Sequence, residues 1–393
     1  SIYLVQLGHC HPTMGCSASC PSSPRRSAFK PRVKVDFDHD FFDHYYLDKK
    51  LADGSIAQVR SLANLPTRAN ASDAGFKGRC AKIIDLRDKR HPGKACPEKQ
   101  DLVAAEVHLW KSVGHHPNCA ELVGAYMFAN IGFVVMEKCH DSLYHHMKGM
   151  EYLNEVSLGE LVHQMLSALQ HLHSFRLVHG DVKPDNFLVG GTSGDTLKLC
   201  DFGLAAFLPN HGKLCGPVGT FPFMAPEMYA EAGYDVKADM WSLGVTVYAF
   251  LFGNFPYEPK DTQAAMMQAI ASGRPPTFEP VGERKEVRSQ EASEFARALL
   301  RPVAQDRPFV TEALDSSYIA MIRRHKNDGG LQSLARPSLH PMLKSARKVG
   351  VFTTIDRSLK TDLDDMVSVL QFQKLGLRMP DAWKSHQISM ATA

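Results

Sequence analysis

Residues His179-Gly180-Asp181-Val182-Lys183-Pro184-Asp185-Asn186 put a carboxylate, an ammonium and a carboxamide on one short loop. Asp201-Phe202-Gly203 follows after a strand-like run. Moving a phosphoryl group from ATP needs a carboxylate to orient the attacking hydroxyl, and oxygen ligands for magnesium between the phosphates. Asp181 can supply the first, and Asn186 and Asp201 the second. Aspartate and asparagine are common in turns, so either segment alone would be ordinary turn chemistry. Their order and spacing together point to phosphoryl transfer.

Ala225-Pro226-Glu227 closes the series. With it the chain resembles the eukaryotic protein kinase family, whose catalytic loop reads His-Arg-Asp, then Asn, followed by Asp-Phe-Gly and Ala-Pro-Glu. Only the Arg is missing, and Gly180 stands in its place. Lys183, and Gly219-Thr220 ahead of Phe223-Met224-Ala225-Pro226-Glu227, resemble the serine/threonine branch. The calcium/calmodulin-dependent group within that branch is compatible, without EF-hands: Asp362-Leu363-Asp364-Asp365 lacks the ligand spacing and the turn glycine. The resemblance covers residues 45 to 320 and implies an α+β fold in two lobes. The N-lobe would be a small antiparallel sheet with one main helix, and the C-lobe larger and mainly helical. The expected divisions are a flexible tail over 1–44, the N-lobe over 45–139, the C-lobe over 140–325 and a C-terminal tail over 326–393.

Bulk properties agree with this reading. The chain has 393 residues, 44% hydrophobic and 22% charged, an ordinary globular composition with room for two or three packed units. A net charge of +3 is small for the size and gives no reason to expect nucleic acid. The nine cysteines are scattered without Cys-x-x-Cys pairs, as expected of reduced cytoplasmic thiols. No apolar run is long enough to span a bilayer. A monomer is expected.

Ahead of the nucleotide lobe, Asp36 to Tyr46 is rich in aromatic and acidic residues and leads into the first strand. Leu51-Ala52-Asp53-Gly54-Ser55-Ile56-Ala57-Gln58-Val59 occupies the place of the glycine-rich loop. The family pattern has glycine at Ala52 and Ala57, and only Gly54 is kept. The loop is a weak match, and an ordinary hairpin turn reads the same way. Cys80-Ala81-Lys82-Ile83-Ile84 resembles the strand whose lysine meets the α- and β-phosphates. A lysine in an apolar run is costly unless paired, and Glu106 is the expected partner. It lies on a helix predicted over 98–113, with Leu102, Ala105, Leu109 and Val113 at helical spacing. Phe133 to Glu137 reads as a buried strand entering the interlobe hinge. By resemblance Met136 is the gatekeeper, the backbone of Glu137 and Cys139 meets adenine, and Val59, Ala81 and Leu188 sandwich the ring. Ala52, Gly54 and Ser55 join them as ATP-binding residues.

In the catalytic lobe, Leu161 to His173 shows helical periodicity. The resemblance gives His179 a packing role against Phe202, Asp239 the anchoring of the catalytic loop, and Arg307 a pairing with Glu227. Two departures agree with each other. Gly180 replaces the Arg that would hold a phosphorylated activation loop, and residues 204–219 contain no Ser, Thr or Tyr. A segment ordered without phosphorylation is expected. Cys215 reads as a plain exposed thiol. Asp185, with Asp141 and Glu258, gives a lean toward basic substrates.

Met14-Gly15-Cys16-Ser17-Ala18-Ser19 matches a myristoylation pattern. Cys16 and Cys20 could take palmitate, and Arg25, Arg26, Lys30 and Arg32 follow. One acyl chain binds membranes marginally, and a second signal makes the anchor stable. The motif works only if translation starts at Met14, so residues 1–13 are expected to be spurious; an internal Met-Gly-Cys in a tail is the alternative. Near the other end, 362–377 could form an amphipathic helix with Leu363, Met366, Val367, Leu370 and Leu377 on one face. It is expected to pack on the catalytic lobe, with blocking of the cleft or a partner as alternatives.

The expected function is a serine/threonine protein kinase using ATP and Mg2+. Asp181, Lys183, Lys82 and Glu106 would be catalytic, and Asn186 and Asp201 would bind the metal. The rival is an inactive kinase fold serving as a membrane-anchored scaffold. The degenerate glycine loop and Gly180 favour it, and the intact Lys82, Asp181, Asn186 and Asp201 oppose it.

Overall fold

Alternating apolar residues around Lys82 build the central strand of the smaller lobe, and hairpins supply its neighbours. The computed structural model describes residues 37, 40–53, 57–64, 78–88, 91, 93–149, 154–191, 194–230, 232–257, 265, 268–270, 276–278, 288–327, 363, 364, 367, 368, 370 and 371. The acylation motif, Gly54, Ser55, Glu258, Met366 and Leu377 lie outside these residues. Strands β1 (Tyr45–Asp53), β2 (Ala57–Asn64), β3 (Arg79–Asp85), β4 (Leu122–Phe128) and β5 (Ile131–Glu137) form one sheet in the order β1-β2-β3-β5-β4. Every pairing is antiparallel. Ala129 and Asn130, both at positive φ, make the two-residue turn that pairs Phe128 with Ile131.

Both faces of this sheet are covered. Helix α2 (Pro97–Val113) starts on a proline at its first turn and ends at Gly114, with φ 66°. It buries Val103, Glu106, Val107, Trp110 and Val113. Leu102, Ala105 and Leu109 are only partly buried, so the inward stripe is rotated from the predicted one. The rotation follows from bringing Glu106 inward. On the opposite face a helical turn, α1 (Phe41–His44), stacks Phe41 on Phe133 with ring centroids 4.0 Å apart. Phe41, Phe42, Tyr45, Leu47, Leu62, Ala81, Ile83 and Val135 share one buried cluster there with Leu363 and Val367. Two expectations are thereby corrected. The flexible tail does not reach residue 44, and the C-terminal helical residues pack on the nucleotide lobe rather than the catalytic one. Exposed aromatic and β-branched side chains on that sheet face need a cover, and these two segments provide it.

The larger lobe is organised by α4 (Glu155–Ser174) and α5 (Lys237–Phe252), which follow α3 (Leu143–Gly149) in the chain. The Asn154 side chain caps α4 by accepting from the Ser157 N–H at 2.7 Å, so the helix begins earlier than the predicted Leu161. Every residue of α5 is buried, which explains why its sequence is apolar on all sides. The helices α6 (Gln290–Leu299), α7 (Val310–Leu314) and α8 (Ser317–Asn327) pack around this pair. Short strands β6 (Asp141–Ser142), β8 (Phe187–Gly190) and β9 (Thr196–Leu199) make a second sheet under the cleft, and β7 (Leu177–Val178) pairs with β10 (Ala206–Phe207). No helix among the described residues is long and apolar enough to cross a membrane.

One buried ion pair ties the lobe together. Arg307, fully buried, donates to both carboxylate oxygens of Glu227 at 2.6 and 3.1 Å and to the Lys237 and Arg301 carbonyls. Removing one partner leaves the other charge buried and uncompensated. Glu227→Ala is expected to lose about 3–5 kcal/mol of unfolding free energy in a urea titration. A loss under about 1 kcal/mol would mean the pair behaves like a surface bridge.

Candidate active site

Strand alternation decides which side chains reach the cleft. On β3, Cys80, Lys82 and Ile84 share one face, and Ala81 and Ile83 share the other. Ala81 is fully buried in the outer cluster, so it does not line the cleft as expected. Cys80 takes that place, against Met136. Counting by twos from Lys82 would have identified it. Val59 lies opposite Lys82 on β2, and Ala52 lies opposite Val59 on β1.

Lys82 reaches across the cleft. Its Nζ is 2.7 Å from Glu106 Oε1 and 3.2 Å from Asp201 Oδ1. The Lys82 ammonium outweighs burial at Asp201 and holds that carboxyl far below its ordinary range. At Glu106 burial dominates and pushes the carboxyl up, against the pull of Lys82. Asp201 sits in the left-handed region at φ 64°, a conformation aspartate tolerates better than most residues, and there its carboxylate meets Lys82. Behind it Phe202 is fully buried between Trp110 and His179, with ring centroids at 5.3 and 5.6 Å. Trp110 was not among the expected site residues. Its place one helical turn after Glu106 is the signal that could have found it.

The catalytic loop hangs from Asp239. This carboxylate has no exposure and accepts from the His179 N–H, the Gly180 N–H and His173 Nε2, each at 2.9 Å. His179 is spent on backbone: Nδ1 accepts from the Asp181 N–H at 3.3 Å and Nε2 donates to the Cys200 carbonyl at 3.1 Å. It has no nitrogen left to act as a base. Beyond it, Asp181 Oδ2 takes Lys183 Nζ at 2.7 Å and Asn186 Nδ2 at 3.0 Å, while Oδ1 takes the Thr220 hydroxyl at 2.7 Å. Lys183 also donates to Thr220 Oγ1 at 2.5 Å. Burial alone would lower the Lys183 pKa, but the Asp181 carboxylate, then Asp201 and Asp185, hold it above the ordinary value. Thr220 therefore belongs to the site, a role the sequence reading did not give it. Asn186 spends its N–H on Asp181, which leaves its oxygen as the ligand end.

At the hinge, Met136 is buried and Glu137 ends β5. The Glu137 carboxylate faces away from catalysis, meeting Lys198 at 3.0 Å and the Glu121 N–H at 2.7 Å. Cys139 packs against Gly190, where an added Cβ would lie 2.8 Å from its Sγ. Burial pushes the Cys80 and Cys139 thiols up to about 12, so both are inert apolar lining at neutral pH. Leu188, on β8, is partly buried.

Magnesium fits the donor set. Among the described residues no group of three or more His, Cys, Asp or Glu is placed to hold a metal. Mg2+ is instead usually bound through one or two carboxylates plus substrate phosphates. An ionised Asp201 and the free end of Asn186 are that kind of half-site.

Several contacts hold residues 204–219 against the rest of the lobe. The Leu208 N–H donates to the Arg176 carbonyl at 2.8 Å, and Leu214 and Tyr234 exchange two backbone bonds of 2.8 Å. Lys213 meets Asp235 at 2.5 Å. Gly180 has φ 77°, and a Cβ there would lie 3.1 Å from the Leu204 carbonyl oxygen. The backbone of the segment thus fills space beside the loop that a side chain would need. Cys215 is exposed.

Residues 70–319 match the protein kinase domain model. Serine/threonine-protein kinase DCLK3 of Mus musculus is 28% identical over 322 residues, 80% of this chain and 38% of that protein. An Aurora kinase of Eremothecium gossypii is 32% identical over 175 residues, 42% of this chain and 47% of that one. Ribosomal protein S6 kinase alpha-2 of Homo sapiens is 30% identical over 240 residues, 60% of this chain and 30% of that one. The chain spans less than half the length of each of these relatives.

Gly180 provides a direct test of the local packing. Gly180→Ala forces an L side chain into the left-handed region and toward the Leu204 carbonyl. It is expected to cost about 1–2 kcal/mol in a denaturant titration and to expose residues 204–219 to faster hydrogen exchange. Unchanged exchange in that segment would show that Gly180 does not support it.

Proposed function

We infer that this chain, which belongs to the protein kinase family, transfers the γ-phosphoryl group of ATP to serine or threonine hydroxyls of proteins. The observation that carries this reading is that Lys82, Glu106 and Asp201 meet in one ion-pair cluster and Asp181, Lys183, Asn186 and Thr220 in another. A scaffold has no physical need for both constellations, so the active reading is preferred to the inactive one. The substrate oxygen forms a bond to the γ-phosphorus, the bond to the ADP oxygen breaks, and the hydroxyl proton passes to Asp181. Lys82, held by Glu106, positions the α- and β-phosphates. Lys183 balances charge on the transferring group. Bound magnesium would neutralise phosphate charge, and Asn186 and Asp201 are the residues that would hold it. Positioning and preset charge supply the rate.

Finer features of the reading are proposals in the same sense. Activity without activation-segment phosphorylation is supported by the phosphate-free contacts of residues 204–219 and by Gly180. A lean to basic substrates rests on Asp141, which is exposed, and on Asp185. A cytoplasmic chain held at a membrane through acylated Gly15, with Cys16 and Cys20 as further acyl sites, rests on the sequence pattern alone. Its test is the mass of the mature N-terminal peptide from cells: unmodified Gly15 contradicts it.

The central experiment measures transfer of labelled γ-phosphate from Mg-ATP to basic and acidic Ser/Thr peptides. Asp181→Asn is expected to lower kcat by about 10²–10⁴-fold while nucleotide still binds. Equal transfer by the variant, or ATP binding without any wild-type transfer, would turn the reading to a scaffold. Phosphatase-treated protein, shown by mass to be unmodified over residues 204–220, is expected to keep its activity. Loss of activity restored by an upstream kinase acting at Thr220 would refute the phosphate-independent segment.

A further inference from the structure

Three different kinds of contact bind the C-terminal segment to the β1–β2 hairpin. The first is apolar. Leu363 and Val367 are buried in the outer cluster of the nucleotide lobe, and Leu370 packs against it. The second is a backbone match. The Gln371 carboxamide accepts from the Leu47 N–H at 2.8 Å and donates to the Leu47 carbonyl at 3.2 Å. β1 is the edge of its sheet, and an edge strand presents unpaired N–H and C=O groups. Gln371, itself buried, satisfies one such pair as a neighbouring strand would. The third is ionic. The Asp364 carboxylate meets both Lys50 and Arg60, the latter at 2.8 Å. Those two cations lie opposite each other on β1 and β2. Burial alone would raise the Asp364 pKa, but the bonds from Lys50 and Arg60 hold it below its ordinary value.

The location of these contacts gives them a purpose. The β1–β2 ladder has register shifts between Leu47 and Lys50 and between Lys50 and Ala52. Gln371 and Asp364 attach at Leu47 and Lys50, the two ends of the first irregularity. A bulged ladder loses hydrogen bonds and gains twist, so this is where the hairpin needs outside support. In the sequence, residues 328–362 separate these helical residues from α8.

We propose that the outer face and β1 edge of the nucleotide lobe form a docking surface whose occupant is this chain's own C-terminal segment, Leu363 to Gln371, and that its docking stiffens the β1–β2 hairpin and raises affinity for Mg-ATP. The second half rests on the kinase reading above. A segment that binds one state of the hairpin shifts its population only by its differential affinity, and coupling of this kind usually changes ligand affinity by about fivefold or more.

The test uses the full chain and the Asp364→Lys/Val367→Asp variant. Hydrogen exchange is followed over residues 45–64, with α4 as an internal reference, and Mg-ATP affinity is titrated. Exchange is expected to rise over 45–64 alone, and the dissociation constant about fivefold or more. Reversing the partners as well, with Lys50→Asp and Arg60→Asp beside Asp364→Lys alone, is expected to restore both. Gln371→Ala, a milder change, is measured the same way in case the double variant unfolds. Unchanged exchange in every variant overturns the docking. Raised exchange with unchanged affinity overturns the coupling and leaves the kinase reading standing. If the wild-type chain binds no Mg-ATP, the coupling falls together with that reading, and exchange alone still decides the docking.

Discussion

An ammonium group taken out of water has to find compensating charge where it stands, and Lys82 finds it on two elements at once. Glu106 comes from α2 and Asp201 from the turn before Phe202. An uncompensated buried charge costs several kcal/mol, so Glu106, the buried partner, cannot drift without a large penalty, while Asp201 is held in a more solvated pair. Strand β3, helix α2 and the start of the activation segment are therefore fixed to one another by a single nitrogen. The rings behind them follow. Once α2 is drawn in by Glu106, Trp110 lies on Phe202, and Phe202 on His179. Dispersion among these rings is strong only at close contact, so the stack holds the positions that the charges choose.

A second constraint sets the other half of the cleft. Asp239 is wholly buried, and its charge is balanced by donors from His179, Gly180 and His173. Hydrogen bonds to a buried carboxylate are short and directional. They leave the backbone at Gly180 one conformation, with φ 77°. That conformation is cheap only for glycine, and the missing side chain lets the Leu204 carbonyl come close. Other kinases that follow the His-Arg-Asp pattern have an arginine at this point of the sequence. Here the Leu204 carbonyl lies beside that position, and Lys213 and Leu214 pair with Asp235 and Tyr234.

Most of the residues that meet in the candidate site stood out in the sequence because phosphoryl transfer would restrict their types. Asp181, Asn186 and Asp201 were singled out by type and spacing and Lys82 by resemblance, and the structure brings Lys82 to Asp201 and Asn186 to Asp181. The pairing of Arg307 with Glu227 and the packing of His179 on Phe202 were readable for the same reason, as parts of one resemblance. What was not legible depended on direction. Ala81 and Cys80 are adjacent in sequence and opposite in space, and strand alternation puts them on different faces. The α2 stripe was misplaced because an inward glutamate breaks the apolar pattern that periodicity follows. Thr220 was hidden because its hydroxyl matters only through a chain reversal that brings it beside Asp181. Leu363, Val367 and Leu370 stood out as part of an amphipathic pattern, but a pattern has no address: the partner face was made by Phe41, Phe133 and their neighbours, far away in sequence.

That partner face returns the argument to β3. The strand is a rigid alternation, with Lys82 facing the cleft and Ala81 and Ile83 facing the aromatic layer beneath Leu363 and Val367. Side chains on opposite faces share one backbone, so the outer layer cannot be repacked without some displacement reaching Lys82. Close packing makes such displacements discrete rather than gradual. Leu363 and Val367 over the outer face are thus separated from the Lys82 side by the thickness of one sheet. The cleft and its cover are two faces of one strand, and what stabilises either is felt by the other.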